Sequence, residues 1–336
     1  MALKGKRKLL RTFADTARVS YSWDELYRLY RRAKEAEGLA ERTLALRDKY
    51  HRYFLEFLDL KYPGLSPQEV TADVIRGWVR YMQSERRQYE GNERIPDRMK
   101  TVGLSPGAIN TYLRHHKVFF SFMVSEGYIS ENPFKKVRLV KEEKDTVESF
   151  TVEQIEKLLK QPDKRTYNGF RDYCAMLTFL DTGIRLVELI NLRIEDVDFT
   201  NCSLYIRASN SKNNVGRTVP FSARTKKELQ SLLAEVRELN AEYLFTTVYG
   251  NKLDPTRIRA AIKEYGRAAN ITTIRVTPHT FRHTFAKFYI LNGGDPYSLQ
   301  KLLGHHDMTM VRRYVQMNDM DIRRQHDKYS PINFLR

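Results

Sequence analysis

Six side chains in this 336-residue chain combine into one piece of chemistry: Arg185, Lys212, His279, Arg282, His305 and Tyr314. Two guanidiniums suit the non-bridging oxygens of a phosphodiester under displacement. Each offers a planar fork of donors and stays charged at any working pH. A tyrosine hydroxyl ionises at about pH 10, so as a nucleophile it needs cationic neighbours or a base to take its proton. A histidine, ordinarily ionising at about pH 6.5, suits that transfer at neutral pH. A lysine on a hairpin can reach a leaving oxygen that needs a proton. No metal is required by this scheme, and the sequence offers no acidic cluster to hold magnesium.

The elements that must position these groups are legible in the punctuation. Thr277 is an N-cap with Pro278 at the first helical position, which puts His279 and Arg282 at i, i+3 on one face. Gly293-Gly294 ends that helix. Asp295-Pro296 starts a second, striped by Leu299, Leu302 and Leu303 and stopped by Gly304, so His305 falls in a tight turn. Asp307 caps a third, in which Met308, Val311 and Val315 face the core and Tyr314 sits to one side. Upstream, Arg185 and Glu188 share a turn of helix after Thr182-Gly183-Ile184. LYIRA and GRTVPF read as two strands joined by SNSKNN, with Lys212 at the turn.

The balance of 58 Lys+Arg against 41 Asp+Glu gives net +17 and a pI of about 9.7, which suits a nucleic-acid partner. Cys174 and Cys202 form neither a disulfide framework nor a CxxC knuckle. No apolar run approaches the roughly 20 residues that span a bilayer, and the N-terminus lacks a signal-type apolar segment. The expectation is a cytoplasmic protein in a reducing compartment.

The rest of the chain divides readily. Residues 1–20 form a basic arm. A helical domain follows over 21–134, with helices from Ser22, over 40–60 and 71–88, and from Ser105-Pro106 to Gly127, and with 84–104 as a loop. Its aromatics read as core. Arg114, His115, His116 and Lys117, on the last helix, could face DNA. The charged stretch 135–149 reads as a linker. The second domain, 150–336 including a tail, has helices from Thr151 and over 168–181, 224–239 and 254–269 around the hairpin. The fold class is mainly α with a small β-sheet.

Taken together, Thr182-Gly183-Ile184-Arg185 with Glu188, Lys212 eight residues before Pro220, His279-x-x-Arg282, Leu303-Gly304-His305 and Tyr314 nine residues further resemble the tyrosine recombinase (phage integrase) family. The resemblance implies an N-terminal helical core-DNA-binding domain and a C-terminal α+β catalytic domain that together clamp a duplex. It implies Tyr314 as nucleophile, Arg185 and Arg282 as phosphate clamps, Lys212 as general acid, and His279 and His305 as proton-transfer and phosphate-contact groups. Glu188 becomes a support for Arg185. Double-stranded DNA is the partner, a homo-tetramer forms in the synaptic complex, and no cofactor, metal or ATP is used. The family also implies a C-terminal segment, here with Ile332, Phe334 and Leu335, that passes to a neighbouring protomer. Integration or excision of a mobile element is the first reading, and Xer-type dimer resolution the alternative. Rivals from other classes are a catalytically silent DNA-binding protein and a metal hydrolase using His279, His283, His305 and His306.

Overall fold

The first helix opens with a reciprocal capping box, Ser22 receiving the Glu25 amide while the Glu25 carboxylate receives the Ser22 amide. In the computed structural model the described residues are 21–336, apart from 90–92, 94, 143–147, 212–214, 305–306, 313–322, 324–325 and 335–336. The arm 1–20, Lys212, His305, Tyr314, Val315, Leu335 and most of 318–329 therefore lie outside the described residues. The chain divides into two units between Glu143 and Lys144. No described helix is long and apolar enough to cross a membrane.

The first unit contains α1 (Trp23–Ala36), α2 (Glu41–Lys61), α3 (Ala72–Ser84) and α4 (Pro106–Ser125). Its core is built from rings: Tyr30, Phe54, Trp78, Phe119, Phe120 and Phe134 are all at most 1–2% exposed. Helix α4 buries two sides, which corrects one expectation. Arg114 and Lys117 are exposed, but His115 and His116 point into the core and cannot face DNA. Neutral imidazoles pack there as aromatic rings, His116 lying 4.8 Å from Trp78 and from Phe54. Part of the charged stretch read as a linker is docked on this unit. The Asn110 side chain donates to the Val140 carbonyl and accepts from its amide, and Val137 and Val140 pack on the core.

The second unit holds α5 (Val152–Leu159), α6 (Tyr167–Thr182), α7 (Leu186–Ile190), α8 (Ala223–Glu238), α9 (Pro255–Ala268), α10 (Pro278–Leu291), α11 (Pro296–Leu303) and α12 (Thr309–Arg312). A three-stranded antiparallel sheet of β1 (Val197–Asp198), β2 (Ser203–Ile206) and β3 (Arg217–Pro220) lies between α7 and α8 in the chain. The two expected strands are present, pairing Leu204 with Val219 and Ile206 with Arg217. β1 is too short to show a period. Helix α6 is buried on nearly every side and is packed by α8 and α10, with Phe179 and Phe281 meeting across the α6–α10 contact. A smaller cluster of Ala286, Ile290, Leu299, Leu303 and Val311 fastens α10, α11 and α12 together.

Candidate active site

The described helices that carry or flank candidate residues start or stop on the caps read from the sequence. Thr277 accepts from the Thr280 amide, so α10 starts with His279 and Arg282 in its first two turns. Asp295 caps α11 through the Ser298 amide. Gly183 closes α6 in the left-handed region, φ +63°. A Cβ there would lie 2.3 Å from the Phe285 ring, so both conformation and space demand glycine. That turn delivers Arg185 to the N-cap of α7.

The arginines meet at the C-terminal end of α11, where three successive carbonyls each receive one guanidinium. Arg217 Nε donates to Leu302 O at 2.8 Å, Arg282 Nη2 to Leu303 O at 2.7 Å, and Arg185 Nη2 to Gly304 O at 3.4 Å. A helix end leaves such carbonyls without intrahelical partners and carries partial negative charge, so cations belong there. Arg282, 2% exposed, also donates to Gly183 O at 2.6 Å and so ties α10 to the α6–α7 turn. Arg185 keeps about a fifth of its side chain exposed.

Glu188 is buried, and two arginines share it. Arg185 donates to it from its backbone amide (2.8 Å) and from Nη1 (2.9 Å). Arg217 grips both of its oxygens, at 3.0 and 2.8 Å. Burial opposes ionisation of Glu188, but the bonds from Arg217 and Arg185 outweigh it and hold the carboxyl below its usual range.

Beside Arg185 and Arg282 opens a cavity of about 480 Å³, also lined by His279, Arg259 and Lys263. Burial, then the positive charges of Arg282, Arg185 and Arg259, hold the His279 imidazole below its ordinary pKa. It is thus neutral at pH 7 and able to accept a proton. Its ring lies parallel to that of His283 at 5.5 Å. Among the described residues no three His, Cys, Asp or Glu side chains gather to hold a metal. A neutral imidazole beside guanidiniums, on a cavity with no carboxylate among its described lining residues, can receive an oxyanion and move a proton beside it.

The structure thus brings Arg185, His279 and Arg282 together with Glu188. Lys212, His305 and Tyr314 lie outside the described residues, although Gly304, the residue before His305, is at the centre of the cradle. Sequence reasoning passed over Arg217, Arg259 and Lys263. The last two had a signal, since cations at i, i+4 on the helix expected over 254–269 share a face.

The model of the phage integrase family matches residues 148–320, just over half of the chain. The tyrosine recombinase XerD of Staphylococcus haemolyticus (strain JCSC1435) is 30% identical over 234 residues, covering 68% of this chain and 78% of that protein. Among solved structures, the Tn1549 transposon integrase in complex with transposon right end DNA has a TM-score of 0.70 at 20% identity, covering 90% of this chain and 98% of that one. A lambda integrase tetramer bound to a Holliday junction has a TM-score of 0.68 at 18% identity, covering 88% and 78%. Helical first unit and α+β second unit are the fold of the two-domain tyrosine recombinases. The chain belongs to the phage integrase family and is a site-specific DNA recombinase.

Proposed function

We propose that this recombinase cleaves and rejoins double-stranded DNA through Tyr314, with Arg185 and Arg282 holding the scissile phosphate. The observation that carries the reading is the cradle itself: two guanidiniums fixed on the end of α11, beside a neutral His279, around a cavity with no acid among its described lining residues. The Tyr314 oxygen attacks phosphorus, the P–O5′ bond breaks, and Lys212 gives the leaving oxygen its proton. His279 and His305 contact the phosphate and move the phenolic proton. The 5′-hydroxyl of a second duplex then attacks the 3′-phosphotyrosyl bond and releases Tyr314. The phosphodiester is conserved, and no ATP, metal or cofactor enters.

Strand exchange between two duplexes needs two cleavages on each, so a homo-tetramer on DNA is the working assembly. The lambda integrase tetramer bound to a Holliday junction, similar in fold, supports it. Integration or excision of a mobile element is the reading we favour, in line with the transposon integrase likeness. Xer-type dimer resolution is the alternative, and the XerD relative supports that one. The reaction takes place in the cytoplasm.

A suicide substrate nicked near the crossover site tests the chemistry. Wild type is expected to form a covalent adduct that survives boiling in detergent, with or without EDTA. Tyr314→Phe should bind DNA and form none. Arg185→Ala and Arg282→Ala should each slow cleavage by about 10²-fold or more. An undiminished adduct from Tyr314→Phe would remove that residue as nucleophile.

A further inference from the structure

Arg217 belongs to no motif in the sequence, yet it makes three long-range contacts at the heart of the cradle. Its Nη1 and Nη2 form a two-pronged pair with Glu188, the geometry in which guanidinium and carboxylate are both strongest and most rigid. Its Nε holds Leu302 O at the end of α11. Glu188 in turn fixes Arg185 at both its backbone amide and its side chain. A Cβ on Gly304 would sit 3.1–3.2 Å from the Arg217 guanidinium, and Gly304 has φ +63°. The guanidinium is therefore packed against Gly304, the residue that precedes His305 in sequence.

All three nitrogens of Arg217 already have protein partners, and its side chain is only 10% exposed. It is built to orient other groups and not to touch DNA. It also stands at the start of β3, five residues after Lys212 in sequence, so one side chain ties β3 to both Glu188 of α7 and the end of α11.

We propose that Arg217 is a positioning residue for recombination: it locks Glu188, and through it Arg185, while pinning the end of α11 that leads into His305. The inference rests on the reaction proposed above. It differs from a purely stabilising role in one respect. A stabilising contact sets how much protein is folded, whereas a positioning contact sets how fast the folded protein reacts.

The test is single-turnover adduct formation on the suicide substrate at saturating protein, reading rate constant and amplitude separately. Arg217→Lys keeps a charge but loses the fork. It should bind DNA within about threefold of wild type and retain its amplitude. Its rate constant should fall about 10- to 100-fold, the scale set by a displaced reacting group. In an Arg185→Ala background the same change should cost less than about threefold, because most of its effect passes through Arg185. If Arg217→Lys gives too little folded protein, Glu188→Asp, which withdraws the carboxylate by one methylene, carries the same prediction.

A lower amplitude at an unchanged rate constant would make Arg217 a stabilising residue only and overturn the proposal. So would losses that multiply in the double variant. A wild type that forms no adduct would sink the underlying reaction as well, and that failure is recognisable because it appears before any substitution is made.

Discussion

The two units bury polar groups differently. In the first, three buried histidines are neutral rings, and the one buried guanidinium among the described residues, Arg86, lies over the Tyr53 ring. His51 stacks on Tyr27 at 3.8 Å, and His115 and His116 pack beside it. Among the described residues, five of their ring nitrogens have no hydrogen-bond partner, because both the His51 and the His115 nitrogens and Nε2 of His116 face other rings. In the second unit, beside buried threonines, charged side chains are buried in pairs. Arg171 is gripped by Asp172, which also receives the Tyr265 hydroxyl, and Glu188 is held between Arg185 and Arg217. Replacing a buried ion pair by packed apolar groups often costs no stability, so the value of such pairs lies in geometry. The second unit fixes Arg171, Arg185 and Arg217 with buried carboxylates. The first is filled mainly by the shapes of rings.

Acid should separate the two most strongly. Burial holds the His115 pKa down to about 2 and that of His116 to about 4, and holds His51 well below its ordinary value. Once unfolded, each ionises at about pH 6.5, so unfolding takes up protons. Stability is then complete above about pH 6.5 and falls below it by up to about 1.4 kcal/mol per pH unit for each ring. By pH 4.5 the three could remove roughly 8 kcal/mol, comparable to a whole domain's stability. Both tryptophans, Trp23 and Trp78, lie in the first unit, so their fluorescence reports on it alone. We expect that signal to be lost between about pH 6 and 4.5 while much of the 222 nm ellipticity survives. Loss of both signals together would mean that the units share one acid transition.

A converse experiment strikes the second unit. Asp172→Ala leaves the Arg171 charge buried with only the Asn168 and Thr246 oxygens for partners, and deprives the Tyr265 hydroxyl of its acceptor. The expected cost is about 3–5 kcal/mol, read as an earlier urea transition in ellipticity with the tryptophan transition in place. A cost below about 1 kcal/mol would show this pair to be dispensable.

How much of this was legible beforehand depends on what carries the information. Caps and periodicity are written in side chains, so Thr277, Asp295 and Gly183 announced the helices that deliver His279, Arg282 and Arg185. The cradle is not written that way. Its acceptors are the backbone carbonyls of residues 302, 303 and 304, which every residue possesses, and its donors come from 85, 21 and 119 positions away. Only folding reveals that three guanidiniums end on one helix terminus. The histidines of α4 misled for a different reason. A polar letter on an amphipathic helix suggests solvent, but an uncharged imidazole among Phe, Tyr and Trp behaves as one more ring. Charge also misplaced the edge of the linker, since Val137 and Val140 bind the first unit in spite of the lysines around them.

The first core's tolerance of shape over charge can be sharpened by His51→Phe. The ring is 4% exposed, and both of its nitrogens lack partners among the described residues. Replacing an unpartnered polar ring by an apolar one of similar outline is expected to be neutral or stabilising by about 1 kcal/mol at pH 7. It should also reduce the acid slope by about 1.4 kcal/mol per pH unit, one ring's share. A melting temperature lowered by several degrees at pH 7 would mean those nitrogens have partners, such as buried water.

The smallest effect concerns the rim of the second unit's cavity. Arg259 and Lys263 stand one helical turn apart on the exposed face of α9 and line the same space as Arg185, His279 and Arg282. Neither forms an ion pair with a described acid, unlike Arg267, which is paired with Glu264 on the same helix. Cations so placed are expected to meet phosphates beside the scissile one. A phosphate contact releases condensed counterions, so losing one should flatten the plot of log binding constant against log salt by about 0.9. Arg259→Ala and Lys263→Ala should each show that change, and the double variant about twice as much, while Arg267→Ala should leave the slope in place. Were all three plots as steep as wild type's, the rim would lie away from DNA, and the cradle would engage a single phosphate alone.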